Sequence, residues 1–215
     1  MRYAFMSFST PELTLGEMLA LARRLGYDGI EPRISAGHRH GIEFETDAAG
    51  RTASRTLAEE SGINAILTSA SGYLTKYWNE RGGKIQWIAQ VHPKTTDVTS
   101  DIKRAIDAGA VAAYVQGGVG DSFVKGRRVD LLGEAVAFIK SQGVIAGIGG
   151  HSIQVPIAVE KASIRPDFYM KTLHHGNYWS ATPTEQRVDF NVDSGGAQDH
   201  DNIWSITPER TIDFM

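Results

Sequence analysis

The chain has 215 residues, 41% hydrophobic and 22% charged, which is enough apolar side chain to build the core of one sizeable domain. Its formal charge of −3 gives no general attraction to nucleic acid or to anionic membrane, and without cysteine it has neither disulfides nor thiolate chemistry. The opening "MRYAFMSFSTPELT" has no apolar run behind a basic segment, and no stretch nears the roughly 18 apolar residues of a membrane span, so a soluble, cytoplasmic protein is expected.

A strand over 2–8 comes first. Thr14 and Glu17 then form a capping-box pattern, with Leu15, Met18, Leu19, Ala22 and Leu25 on one helical face. Gly26 stops that helix, and a strand over 29–34 follows. A helix near 47–61 leads through Gly62 into a strand over 63–69. The stretch 70–83, "ASGYLTKYWNERGG", stands where a full helix belongs and reads as a short, aromatic substitute. A strand over 84–91 precedes a helix capped at Ser100, with Ile102, Ala105 and Ile106 buried. Gly109 introduces a strand over 111–117. Val129, Leu132, Val136 and Ile139 mark the next helix, and Gly143 introduces a strand over 144–149. A helix near 154–163 carries Pro156 in its first turn, and a strand over 167–174 is the seventh. "TPERTIDFM" reads as a helix start with Thr207 as N-cap and Pro208 at the first helical position.

Seven strands alternating with helices predict an α/β protein with a parallel sheet. "SFSTPEL" follows the first strand where a dinucleotide-binding sheet would carry G-x-G-x-x-G. The expectation is a TIM-type (β/α) barrel of about seven strands, incomplete or rearranged, over 1–215. A fusion of two barrel fragments near 67–73 is the alternative to one uninterrupted domain. A barrel short of a strand exposes two edges, so closure through a homo-oligomer is also expected.

The residues "MRYAFMSFS", "LTLGEMLALARRLGYDGIEPRI", "GHRHGIE" and "AEESGI" carry a resemblance to the xylose isomerase-like TIM-barrel family, the sugar phosphate isomerases and epimerases. It covers the first 66 residues. It implies a sugar or sugar-phosphate substrate, proton transfer next to a carbonyl, and a divalent metal such as Mn, Mg or Zn. The family's later metal carboxylates have no counterpart at the strand ends after residue 84, where Gln90, His92, Gln116, His151 and His175 stand instead.

In a barrel, function gathers at the C-terminal ends of the strands, and alternation decides which side chains face inward. Glu31 and Arg33 share one parity and could position a polyol or carboxylate, or simply pair with each other. Gln90 and His92 share a face, with His92 at the rim as a metal ligand, a base or a partner for a backbone carbonyl. Gln116 could bond a substrate hydroxyl or be satisfied by the scaffold, and Asp121 follows it in a loop. His151 comes just after a glycine-rich strand. Tyr169, Lys171, Leu173 and His175 share a parity opposite to His174 and are expected to face inward. An inward lysine could pair with Glu31, bind an anion, form a Schiff base or reach along to solvent. His38 and His40 lie in a loop over the mouth, and Asp199, His200 and Asp201 read as a solvated turn.

The first functional expectation is therefore an isomerase or epimerase. Glu31, His151 and Lys171 would be catalytic, Glu31, His92 and His151 would hold the metal, and Arg33, Gln90, Gln116 and His175 would bind substrate. The alternatives are a Schiff-base aldolase or lyase using Lys171, and a catalytically inactive barrel fragment.

Overall fold

The structure is a computed structural model that describes residues 4–33, 36–43, 45–62, 65–69, 72–82, 84–171, 185 and 208–214. The chain divides into two compact units, Met1–Leu67 with Lys84–Gln86, and Thr68–Gly83 with Trp87–Met215.

In the first unit, β1 (Ala4–Met6) and β2 (Gly29–Glu31) pair in parallel, with Phe5 opposite Ile30. A 3-10 turn at Ser7–Ser9 follows β1. Helix α1 (Leu15–Leu25) begins with the predicted capping box: Glu17 N donates to Thr14 Oγ1 at 3.3 Å, and Thr14 N to Glu17 Oε2 at 2.8 Å. It ends at Gly26 with φ +73, a left-handed conformation natural to glycine. Leu15, Met18, Leu19 and Ala22 are buried, whereas Leu25, expected on the same face, is 59% exposed. Helix α2 (Ala48–Glu60) is capped by Asp47, whose carboxylate accepts from Gly50 N.

The remaining elements are β3 (Ala65–Ser69), α3 (Gly72–Arg81), β4 (Gln86–Val91), α4 (Ser100–Asp107), β5 (Ala112–Val115), α5 (Gly117–Lys125), α6 (Val129–Ser141), β6 (Ile145–Gly150), α7 (Gln154–Lys161), β7 (Phe168–Lys171) and α8 (Pro208–Phe214). Among the described residues, seven strands fall into two sheets, β1-β2 and β3-β4-β5-β6-β7. Strands β4 to β7 run parallel. Their spatial order follows the sequence without the reversal of a doubly wound sheet, which is the progression of TIM-type units. The sheet is not closed in the described residues.

Strand β5 is buried along its whole length, as is β6 from Ala146 onward, because helices cover one face and packed side chains the other. Trp87, Ile102, Leu132, Ile139, Ile148, Val155 and Val159 form the centre of this packing. The Trp87 indole N–H is satisfied by Thr68 O at 3.0 Å.

Two elements differ from expectation. Residues 70–83 contain a true ten-residue helix, α3, whose Trp78 ring lies over Gly109. Helix α5 was not expected at all, because three of its nine residues are glycine and its hydrophobic spacing is interrupted. It forms because Gln116 caps it, with Oε1 accepting from Val119 N at 3.0 Å. It also packs main chain against main chain: a Cβ on Gly120 would stand 2.1 Å from Gly149 O.

Candidate active site

Strand β6 ends in Gly149 and Gly150, and the chain turns through His151 and Ser152 into α7. Helix α5 brings Asp121 to that turn. The Asp121 carboxylate is 2% exposed and collects three hydrogen bonds. Its Oδ2 accepts from His151 N at 3.2 Å and lies 2.7 Å from His151 Nδ1, and its Oδ1 accepts from Ser152 N at 3.0 Å. An ionised carboxylate only accepts, so in this contact the ring donates from Nδ1. The His151 ring rests against the start of α5, where a Cβ on Gly117 would come 2.9 Å from Cε1. Its side chain is 30% exposed.

Lys171 closes the group from the end of β7. Its Nζ donates to the main-chain carbonyl of His151 at 2.6 Å. Burial lowers its pKa to about 8, against the opposing pull of the Asp121 charge. Asp121, His151 and Lys171 thus converge at the C-terminal ends of β6 and β7.

The parity argument for Lys171 is corrected by the register. Gln90, Tyr114, Gly147 and Phe168 stand opposite one another on neighbouring strands and therefore share a face. Val91, Val115, Ile148 and Tyr169 share the other face, as do Gly150 and Lys171. That second face looks toward α7: a Cβ on Gly150 would come 2.5 Å from Val155, and the Tyr169 hydroxyl donates to Glu160 Oε1 at 2.8 Å. Tyr169 is affordable there because α7 offers a carboxylate, and its phenol is pushed above its ordinary range by burial and by Glu160. Lys171 reaches the strand-end site from the helix side.

The other expected site residues fall into separate settings. On the opposite sheet face, the Tyr114 hydroxyl donates to Gln90 Oε1 at 2.6 Å and Gln90 Nε2 to Ser69 Oγ at 3.3 Å, which occupies the Gln90 amide. Gln116 spends its carbonyl oxygen on the α5 cap. His92 is exposed, its main-chain N donates to Asp101 Oδ2 at 2.6 Å, and its Nδ1 lies 3.9 Å from the same oxygen.

Glu31 and Arg33 belong to the first unit. Burial pushes the Glu31 carboxyl up, and the Arg33 charge opposes this. Arg33 N donates to Ser7 Oγ at 2.9 Å, and that oxygen lies 2.9 Å from His38 Nδ1. His40 packs edge-on to His38, with ring centroids 5.7 Å apart, and its Nδ1 accepts from Ile42 N at 3.0 Å. Burial first, and then the His38 charge, lower the His40 pKa.

His174, His175, Asp199, His200, Asp201 and Thr207 lie outside the described residues. Of the residues expected to hold a metal, Glu31 lies in the first unit and His92 and His151 in the second, where each histidine faces a carboxylate; among the described residues no group of three or more His, Asp or Glu could hold a metal ion. Nor is any helix of the described residues long and apolar enough to cross a membrane. Sequence reasoning also misplaced Asp121, set in a loop although it stands on α5. The available signal was Gln116 as a helix cap five residues before it.

No protein-family model and no curated protein matches the chain. Among solved structures, the crystal structure of an HpcH/HpaI aldolase/citrate lyase family protein from Burkholderia cenocepacia is similar at 12% identity and a TM-score of 0.46, over 80% of this chain and 88% of that one. A likeness this distant carries no argument about chemistry. The xylose isomerase-like resemblance of the first 66 residues is corrected by the family comparison, in which no family model matches. The isomerase assignment that rested on it falls with it.

Proposed function

We propose that the second unit carries a carbon–carbon lyase site of aldolase type, in which Lys171 forms an imine with a small ketone or 2-oxo acid. The observation that carries this reading is the position of the Lys171 amine. It stands half-buried at a strand's C-terminal end, anchored to the His151 carbonyl, beside a paired carboxylate and imidazole. An imine-forming lysine needs a neutral amine in reach of neutral pH, and desolvation supplies this by disfavouring the ammonium.

The nitrogen lone pair adds to the substrate carbonyl carbon, and loss of the hydroxyl as water leaves an iminium. That positive nitrogen draws the electron pair of the bond between the α and β carbons as it breaks, the β-hydroxyl loses its proton, an aldehyde leaves, and an enamine remains on Lys171. The test is borohydride reduction in the presence of pyruvate, hydroxypyruvate or a ketose, followed by peptide mass analysis. A reduced adduct on Lys171 is expected, and its absence with every carbonyl compound would remove the reading. The 2.6 Å bond to His151 O favours a second reading, in which Lys171 only anchors the turn into α7. That reading predicts no adduct and a shifted His151 backbone when Lys171 is replaced.

A further inference from the structure

We propose that His151 is the acid–base residue that moves protons at the Lys171 imine and that Asp121 is the positioning residue that holds its tautomer; this rests on the lyase reading above. Three geometric facts carry the inference.

The first is that Asp121 grips both the ring and the main chain of the same residue. Oδ2 lies 2.7 Å from His151 Nδ1 and 3.2 Å from His151 N, while Oδ1 takes Ser152 N at 3.0 Å. A carboxylate needed only to close the turn would be satisfied by the two amide donors. Its contact with the ring fixes the imidazole plane and places the proton on Nδ1, leaving Nε2 basic.

The second is that Lys171 Nζ is tied to the carbonyl of the same residue. The amine and the imidazole are therefore referenced to one stretch of main chain. The third is the exposure: the Asp121 side chain is 3% exposed and that of His151 is 30%. The anchor is dry while the ring reaches outward, which is the distribution a proton carrier needs.

The balanced step starts from the iminium on Lys171. Nε2 takes a proton from the carbon next to the iminium carbon, the C–H electron pair forms a carbon–carbon double bond, and the carbon–nitrogen π pair returns to nitrogen as a neutral enamine. In the cleavage direction, Nε2 takes the proton of the β-hydroxyl, the bond between the α and β carbons breaks, an aldehyde leaves, and the same enamine results. His151 then returns a proton to the enamine carbon.

The experiment separates imine formation from proton transfer, using the full chain and pyruvate as probe. Borohydride trapping reads the imine, and exchange of the pyruvate methyl protons in D₂O, followed by NMR, reads the proton step. In His151→Gln the trapped adduct is expected to persist while exchange falls by about 10²–10⁴-fold. In Asp121→Asn the amide nitrogen faces the ring and reverses the tautomer, so exchange is expected to slow by up to about 10⁴-fold with the adduct retained. Imidazole ¹⁵N shifts give the signature that a merely structural role would not move: Nδ1–H in the wild type and Nε2–H in Asp121→Asn.

Exchange at the wild-type rate in His151→Gln, with the adduct present, would overturn the acid–base role alone. A wild type that traps no adduct would overturn the lyase reading and this role together. An Nε2–H tautomer in the unaltered protein would overturn the positioning role of Asp121 without any variant, so that part stands or falls even if Asp121→Asn does not fold.

Discussion

Lys171 and His151 are joined through the main chain: the lysine amine donates to the histidine carbonyl at 2.6 Å, and the histidine ring meets Asp121 at 2.7 Å. One residue thus links a half-buried amine and a buried carboxylate. Its position after Gly149 and Gly150 is what allows this, because the end of β6 has no side chain of its own to interpose.

Replacing Lys171 with Met should abolish imine trapping and raise stability at pH 7 by about 1–3 kcal/mol, since a desolvated ammonium is exchanged for an apolar chain of similar length. The pH dependence has a defined sign. The folded pKa is about 8 and the ordinary value 10.5. Between these the unfolded chain binds more protons, so wild-type stability should rise with pH across that window, and below it the full penalty should remain. Urea unfolding at pH 7 and pH 10 checks this: the gain from Lys171→Met should shrink at the higher pH.

His40 predicts a second pH effect, in the first unit. Its pKa lies below the ordinary 6.5, chiefly through burial. Stability contributed by the neutral ring is complete above pH 6.5 and is lost as pH falls toward the folded pKa. In His40→Gln the fall in unfolding free energy between pH 7 and pH 5 should be smaller than in the wild type.

Gly120→Ala should destabilise the protein by about 3 kcal/mol or more, because the new methyl meets a main-chain oxygen that no side-chain rotation can move. Denaturant midpoints measure the loss. The same variant should disturb the His151 ¹⁵N signals, since Asp121 is the next residue on that helix.

Gly16→Ala should act in the opposite direction. Gly16 lies inside α1 with nothing within 4 Å of a would-be Cβ. Alanine there should stabilise by about 0.5–1 kcal/mol through lower unfolded-state entropy and better helix propensity. Thermal unfolding should show a raised midpoint.

Much of this fold was legible in sequence because its signals are local. Thr14 with Glu17 caps α1, glycines 26, 62, 109 and 143 follow helices, and the strands expected over 84–91 and 144–149 are β4 (Gln86–Val91) and β6 (Ile145–Gly150). The candidate site was legible in its histidine and lysine but not in its carboxylate. Asp121 depends on α5, and a helix with glycine at 117, 118 and 120 has no periodicity to announce it. Its stability comes from a main-chain approach to β6, a tertiary fact that no window of residues contains. The side of β7 that Lys171 occupies was misread for a related reason. Alternation separates the two faces of a strand but does not say which is which, and the Glu160 partner of Tyr169 on α7 reversed the assumption that polar side chains turn inward.

The contact between Gly120 and Gly149 O bears on how such a site can vary. With no side chain between helix and strand, the spacing of Asp121 from His151 is set by two main chains. The apolar residues around it, Ile148, Val155 and Val159 among them, can then drift in size without retuning that spacing. The couple is insulated from ordinary core divergence, and variation in reactivity would have to enter through Lys171 or through whatever meets the outer edge of the imidazole.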